Sequence, residues 1–248
     1  MRVEAIVVKG IPLIKPGDDI ASIISSLFEF EDGDIVAICS TIVSKAEGRI
    51  RDLKDYKPSK KAVEIAEKLG HKAEFVQAVL EESEEILLDY PFLLVKARFG
   101  NVCVNAGIDR SNVEQGKILL PPENPDKSAE KIRKRLEEIT GKRVGVIITD
   151  TNGRCFRKGV TGFAIGISGV KALREWIGER DLYGNTLEVT VDCVADEIAA
   201  FANLLMGEGS DATPVVVFRG LKHLLGEGSM DEIYRKEDED VIRKLLKR

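Results

Sequence analysis

Three polar segments that contain glycine each follow an apolar stretch of the sequence. Each carries at least one carboxylate at the point where the chain leaves its predicted core. They are NAGIDRSN (105–112) with Asp109, TDTNGR (149–154) with Asp150 and the hydroxyl of Thr151, and GEGSDAT (207–213) with Glu208 and Asp211. Oxygen ligands of this type suit Mg²⁺ or Mn²⁺ better than zinc. The competing interpretation is that these residues cap turns and helices, which is the usual role of Asp and Asn.

Basic side chains lie close in sequence to these acids. Three cations follow Asp150 and one adjoins Asp109: Arg154, Arg157, Lys158 and Arg110. Upstream, the segment STIVSK (40–45) directly follows an apolar predicted strand and contains small hydroxyl side chains and a lysine. Acids that hold a metal beside cations that hold phosphates are what phosphoryl transfer requires. A charged loop in solvent would show the same residues at 154–158, so both interpretations stay open.

The glycine-rich segment GEGSDA (207–212) has the form G-x-G-x-x-A, a variant of the dinucleotide fingerprint. It follows a predicted helix and precedes a predicted strand, whereas the fingerprint follows a strand and opens a helix. No G-x-x-x-x-G-K-[ST] sequence occurs. The sequence therefore predicts neither a Rossmann site nor a P-loop, although backbone amides at 207–212 would be open to a phosphate. A helix C-cap followed by a loop is the alternative.

Other common catalytic sites find little support. The two histidines, His71 and His223, stand among Lys, Leu and Gly residues, where we expect a surface role. Neither G-x-S-x-G nor H-E-x-x-H occurs in the sequence. The four cysteines, at 39, 103, 155 and 193, form no C-x-x-C pair, so we expect neither structural zinc nor a disulfide scaffold.

The elements that position these segments follow one another in an irregular order. Apolar runs predict strands at 35–39, 144–149 and 214–218. Asp192 is expected to cap a helix that stops at Gly207, and Ser229 with Glu232 to form a capping box for a charged C-terminal helix. Because strands and helices do not alternate regularly, the expected fold class is α+β, with mixed or antiparallel sheets and helices. The expected fold is neither a Rossmann fold nor a P-loop fold, and residues 1–248 form one catalytic unit, as one large domain or two intimate lobes.

Composition narrows the classes of function. The chain has 248 residues, of which 44% are hydrophobic and 32% charged, enough apolar content for a core. A net charge of −5 disfavours nucleic-acid binding. The longest stretch without a charged residue, 159–170, is shorter than the roughly 20 residues of a membrane-spanning helix. We expect a cytoplasmic protein without a signal peptide or a membrane partner, and the abundance of Glu, Lys and Arg over Gln and Met favours a thermophile.

Taken together, several sequence blocks resemble the coenzyme F420-0:γ-glutamyl ligase family in its archaeal form. The resemblance covers nearly the whole chain. It is carried by VKGIPLIKPGDDIA (8–21), DGDIVAICSTIVSKAEGR (32–49), NAGIDRSN (105–112), GVIITDTNGR (145–154), AIGISGV (164–170) and ADEIAAFANLLMGEGSDA (195–212). A proline is common in the family where this chain has Cys155, a difference that concerns the detail of that loop. The resemblance also implies that no flavin-binding domain is fused to the chain.

The resemblance implies a GTP-dependent ligase of coenzyme F420 biosynthesis. Such an enzyme adds L-glutamate, through γ-linkages after the first, to the carboxylate-bearing phospholactyl arm of a deazaflavin acceptor. GTP would be the co-substrate, converted to GDP and phosphate by way of an acyl phosphate. The family further implies two divalent ions, Mg²⁺ or Mn²⁺, K⁺ as a monovalent activator, and a homodimer with two lobes.

Site residues follow from the resemblance position by position. The implied metal ligands are Asp109, Asp150, Thr151 and Glu208. The implied guanine-nucleotide site consists of Gly10, Ile11, Pro12, Leu13, Ser40, Thr41, Lys45, Asn112, Met206, Gly207, Glu208, Gly209, Ser210, Asp211, Ala212 and Thr213. From their charge, we assign Arg154, Arg157 and Lys158 to the carboxylates or phosphate of the substrates. The sequence identifies no general base.

Two other functions remain open at this point. One is a different metal-dependent nucleotide ligase or phosphotransferase with another acid as acceptor. The other is a non-catalytic sensor that binds GTP without turnover.

Overall fold

The longest apolar runs of the sequence form the central strands of a five-stranded sheet. In the computed structural model, which describes residues 2–246, this sheet lies in the first of two units, formed by residues 2–12, 19–39 and 125–233. In spatial order the strands are β1 (Glu4–Val7), β12 (Val215–Arg219), β2 (Ile35–Cys39), β8 (Gly145–Arg154) and β9 (Arg157–Ser168). Strands β2 and β8 are parallel, and the other neighbours are antiparallel.

Helices cover the central strands of this sheet. Residues 35–38 of β2 and 146–148 of β8 are fully buried, as parallel strands are when both faces are covered. Helices α5 (Pro125–Thr140) and α6 (Val194–Met206) pack on β8 and β9, and α1 (Ile20–Leu27) packs on α5. A two-stranded ribbon of β10 (Arg174–Glu175) and β11 (Val191–Asp192) completes the regular strands of this unit.

A β-bulge in β9 lies opposite the end of the buried part of β8. Ile148 pairs with Gly166 and Thr149 with Ala164, so β9 contains one extra residue at this point. A bulge reverses the alternation of side chains between the two faces and re-aims those that follow. Accordingly, Gly166 lies against Pro125 at the start of α5, whereas Gly162 lies against α6.

The second unit comprises residues 13–18, 40–124 and 234–246 of the described chain. Its helices are α2 (Ser40–Ala46), α3 (Lys60–Leu69), α4 (Ala73–Glu81) and α7 (Val241–Leu246). Two antiparallel sheets accompany them, one of β3 (Ile50–Asp52) with β7 (Lys117–Leu119), the other of β4 (Ser83–Leu88), β5 (Leu94–Ala97) and β6 (Val102–Val104). The side chains of Phe75, Leu93 and Ile118 are among the most deeply buried in its core.

The α+β fold class predicted from the sequence is confirmed, and so are the three predicted strands, although β8 extends to Arg154. The segment GEGSDA lies after α6 and before β12, as predicted. STIVSK does not form a loop after its strand but folds as α2. None of the helices within residues 2–246 combines the length and the apolar character needed to cross a membrane.

Two predicted helix caps are wrong. The N-cap of α6 is Cys193, without a side-chain hydrogen bond, because the carboxylate of Asp192 instead accepts from the indole Nε1 of Trp176 at 2.6 Å. The Ser229–Glu232 capping box does form. It caps a short 3₁₀ turn, however, and the C-terminal helix α7 begins only at Val241.

Because α6 packs closely on β9, we expect a side chain added at Gly162 to lower the stability of the protein. In Gly162→Ala the new Cβ would lie 2.5 Å from the carbonyl oxygen of Ala199, so helix or strand must shift. We expect the free energy of unfolding to fall by about 1–3 kcal/mol, measured as a lower urea midpoint. Gly153→Ala on the neighbouring strand is the control, because its Cβ meets no heavy atom within 4 Å. Equal midpoints for the two variants would contradict the packing argument.

Candidate functional site

Several predicted site segments lie at one edge of the five-stranded sheet. Strands β1 and β2 end there, the pairing of β8 with β2 stops there, and β12 begins there, because Val7 pairs with Val216, and Cys39 with Thr149. Backbone bonds continue this pairing beyond the strands, from Val8 N to Val215 O (3.0 Å) and from Cys39 N to Pro214 O (2.9 Å). We call residues 10–12, 149–151 and 206–214 the strand-end edge. These three segments belong to the first unit.

Asp150 stands at the end of the buried part of β8, directly after the bulge. Thr149 is buried and its hydroxyl points to the sulfur of Met206 at 3.9 Å, which joins the end of β8 to the end of α6. The carboxylate of Asp150 accepts the backbone N–H of Thr151 at 2.8 Å, and both residues are half-buried. The structure therefore places the Asp150 segment beside the segment that contains Glu208.

The loop 206–213 closes on itself at the C-terminal end of α6. Gly207 ends the helix with φ 69°, and its N–H donates to Asn203 O at 3.0 Å. The hydroxyl of Thr213 donates to Met206 O at 2.9 Å, which ties the two ends of the loop together. Glu208 accepts from the side-chain amide of Asn203 at 2.7 Å. Residues 207–212 are exposed, so this loop presents its glycine-rich backbone to solvent.

Asp109 lies in the second unit, where a backbone bridge to Leu119 fixes its position. Both of its carboxylate oxygens accept from Ser111, one from the backbone N–H at 2.7 Å and one from the hydroxyl at 2.8 Å. The chain around it is unusual. Asn105, Ala106 and Asn112 all have φ between 50° and 54°, in the left-handed region that non-glycine residues seldom occupy. Such strained backbone is often found at functional sites.

The remaining nucleotide residues of the second unit lie on α2 and just before α1. Ser40 begins α2 and is buried, while Thr41 and Lys45 are one helical turn apart and half-buried. Residues four apart share one face of a helix, so the hydroxyl of Thr41 and the ammonium of Lys45 project on the same side. Leu13 is 87% exposed.

The predicted cations divide into two groups. Arg154, Arg157 and Lys158 are exposed at the turn between β8 and β9, and none of them forms a salt bridge within residues 2–246. The guanidinium of Arg110, in contrast, lies 4.6 Å from the centre of the Phe75 ring in the second unit. Arg110 is therefore engaged in a cation–π contact next to Asp109.

None of the four cysteines belongs to the strand-end edge, although Cys39 ends β2 beside Thr149. All four are free of disulfides, and Cys103 is buried in the second unit. Burial raises the pKa of the Cys193 thiol to about 12, so it stays protonated at neutral pH. Cys155 is exposed at the turn between β8 and β9, outside the strand-end edge.

The predicted metal ligands have the right chemistry but are distributed over both units. Asp150, Thr151 and Glu208 lie in the first unit and Asp109 lies in the second. Among residues 2–246, no three His, Cys, Asp or Glu side chains form a group that would hold a metal by itself. The donors are oxygens only, which fits a hard divalent ion such as Mg²⁺. The assignment of these four residues as metal ligands remains a prediction.

Two residues that orient the carboxylates were not singled out from the sequence. Ser111 donates to Asp109 with the two-residue spacing of an Asx turn. The Asp-x-Ser spacing in the sequence could have indicated this bond. Asn203 binds Glu208 across the helix C-terminus, and nothing in the sequence marks that pair. Both residues therefore limit the motion of a predicted metal ligand.

Comparison with known proteins gives a consistent result. The sequence pattern of the family described as F420-0:Gamma-glutamyl ligase matches residues 10–220. The chain is 72% identical to a protein of Archaeoglobus fulgidus named coenzyme F420:L-glutamate ligase, over 100% of this chain and 99% of the relative. Proteins of the same name from Methanosarcina acetivorans (53%, covering 100% and 98%) and Methanocaldococcus jannaschii (45%, covering 94% and 94%) are also similar.

The bond between Asn203 and Glu208 makes a prediction about metal affinity. Asn203→Ala leaves the Glu208 carboxylate without the amide that orients it. Loss of such a supporting partner typically weakens metal binding about tenfold or more, so we expect a weaker Kd for Mn²⁺ by titration calorimetry. Leu204→Ala, at an exposed neighbouring position on α6, is the control. Unchanged Mn²⁺ affinity in Asn203→Ala would exclude Glu208 as an oriented ligand.

Proposed function

Because the chain belongs to the F420-0:γ-glutamyl ligase family, we propose that it joins L-glutamate to coenzyme F420-0 at the expense of GTP. The proposal is supported by the extent of the family match, since residues 10–220 include every predicted metal and nucleotide residue. It is also supported by the strand-end edge, which brings together Gly10–Pro12, Asp150–Thr151 and the loop 206–213 within one unit.

The reaction requires activation of a carboxylate. Direct attack of an amine on a carboxylate would have to expel oxide, a very poor leaving group. Transfer of the γ-phosphoryl group of GTP to the acceptor carboxylate gives an acyl phosphate and GDP. The amine of L-glutamate then attacks the acyl carbon, the C–O bond to phosphate breaks, and the amide and inorganic phosphate are formed.

The residues take roles that suit this chemistry. The open backbone of the loop 206–213 and the ammonium of Lys45 would bind the nucleotide phosphates. Asp109, Asp150, Thr151 and Glu208 would hold divalent ions, which neutralise the charge that develops on the phosphates during transfer. The exposed cations Arg154, Arg157 and Lys158 would bind anionic groups of the substrates. We further propose K⁺ as activator, a homodimer and a cytoplasmic location.

The direct test is the mass of the product. The protein is incubated with GTP, Mg²⁺, L-glutamate and F420-0, and the acceptor is examined by mass spectrometry. We expect one or more glutamyl additions, and phosphate release only when acceptor and glutamate are both present. GTP binding without turnover would identify a sensor instead. Glutamylation or phosphorylation of a different acid would identify another nucleotide-dependent enzyme.

Asp150→Asn separates a catalytic from a structural role for this carboxylate. The amide keeps the shape of the side chain but removes the charge, so we expect turnover to fall by at least about a hundredfold, since a bound metal contributes several kcal/mol. The urea midpoint should change little, because Asp150 is only half-buried. Glu179→Gln, an exposed carboxylate of the same unit, serves as control. A large loss of stability with normal turnover would indicate a structural cap.

The order of the chemical steps makes a further prediction. An acceptor whose terminal carboxylate carries a heavy-oxygen label should release inorganic phosphate that contains one labelled oxygen per amide formed. This follows because one carboxylate oxygen leaves with the phosphoryl group in an acyl-phosphate route. Label recovered in GMP, with pyrophosphate released, would demonstrate guanylyl transfer and contradict the acyl phosphate.

A further inference from the structure

The turn that joins β8 to β9 combines two unfavourable features in one residue. The side chain of Phe156 is fully exposed, at 101% of its reference area, and its backbone has φ 61°. An exposed aromatic ring gains nothing from burial, and a bulky residue in the left-handed region is rare. Strained positions of this kind persist mainly where function requires them. The strain therefore indicates that the Phe156 ring has a functional contact.

Three cations lie within two residues of Phe156 in the sequence. Arg154 pairs with Arg157 across the turn, and Lys158 follows at a register shift of β9. Within residues 2–246, none of the three has a carboxylate within salt-bridge distance, although exposed cations elsewhere do, as in Lys68–Asp89 and Lys134–Glu130. We call residues 154–158 the hairpin tip. The hairpin tip is thus a cluster of three positive charges on a chain whose net charge is −5.

The hairpin tip is connected to the strand-end edge by a short, regular strand. Arg154 stands four positions after Asp150 on β8, and the three residues between them, Thr151, Asn152 and Gly153, pair with β9. At about 3.4 Å per residue, the hairpin tip lies roughly 14 Å from Asp150. An elongated molecule that contacts the hairpin tip at one end can therefore present its other end near Asp150.

We propose that the hairpin tip binds a planar aromatic compound that carries a phosphate, with the ring stacked on Phe156 and the phosphate held by Arg154, Arg157 and Lys158. This inference rests on the proposed function, in which the matching ligand is the deazaflavin acceptor with its phosphodiester arm. An exposed aromatic ring flanked by arginines is the combination by which proteins bind stacked rings next to phosphates. The hairpin tip thereby selects the acceptor, while the strand-end edge binds the groups that react.

Larger anionic partners fit the hairpin tip less well. A membrane surface is usually bound by an amphipathic element with several apolar residues, whereas the hairpin tip offers one aromatic ring. A nucleic acid would require a wider basic surface than three cations, and the overall charge of the chain is negative. Binding measurements with anionic vesicles and single-stranded DNA distinguish these two partners from the deazaflavin acceptor.

The test measures binding to the whole protein, without GTP or metal, through the fluorescence of the deazaflavin ring. Two probes are used, F420-0 and the deazaflavin riboside that lacks the phospholactyl arm. Phe156→Ser should weaken both probes about tenfold, the usual effect of losing one stacked aromatic, and Phe156→Trp should restore binding. Arg157→Gln should weaken only F420-0. Tyr183→Ser is the control, because Tyr183 is an aromatic residue of the same unit that is 93% exposed.

The possible failures are distinguishable. Unchanged affinity of Phe156→Ser for both probes overturns the inference, as does an equal loss in Tyr183→Ser. Phe156→Ser could instead keep its affinity for both probes but lose self-association, binding to anionic vesicles or binding to single-stranded DNA. Any of these results would assign the hairpin tip to another partner and would also overturn the inference. If wild-type protein binds neither probe but still glutamylates F420-0, the hairpin-tip inference fails and the proposed function stands. If it does neither, both fail.

Discussion

The parallel pairing of β2 with β8 is the constraint on which the candidate site depends. It sets Cys39 beside Thr149, so the paired part of the two strands stops at one edge, where the chain continues into Ser40 after β2 and into Asp150 along β8. Residues 35–38 and 146–148 are all apolar and fully buried, so separating the two strands would expose apolar surface to water. Antiparallel β12 brings the loop 206–213 to the same edge from the opposite direction. Polar groups accumulate at this edge because the strands leave the core there.

A β-bulge, two glycines and local hydrogen bonds add to the sheet in positioning the side chains around the strand-end edge. The bulge in β9, opposite Thr149, reverses the side-chain alternation of β9, and the glycines at 162 and 166 let α6 and α5 approach this strand. Short hydrogen bonds then hold the carboxylates: Thr151 on Asp150, and Asn203 on Glu208. These carboxylates are therefore held in place within the protein itself, and such preorganisation is what binding of phosphates and metals requires.

Much of this arrangement was predictable from the sequence, for identifiable reasons. Continuous apolar runs predicted β2, β8 and β12, and glycine after Met206 predicted the end of α6. The start of α6 was not predictable from Asp192, because that carboxylate bonds to Trp176, a contact across the β10–β11 ribbon that local spacing does not reveal. Helix α2 was missed because a short apolar strand followed by Ser and Thr resembles a strand followed by a loop. The Asn203–Glu208 bond depends on how a loop folds back on its helix, which no periodicity encodes.

We propose that the divalent ion and the nucleotide phosphates bind at the strand-end edge. The most direct measurement is anomalous diffraction from crystals grown with Mn²⁺ and a non-hydrolysable GTP analogue. We expect Mn²⁺ peaks within coordination distance of carboxylate oxygens of Asp150 and Glu208, with phosphate oxygens as further ligands. Peaks remote from both residues, with their carboxylates still bonded only within the protein, would contradict it.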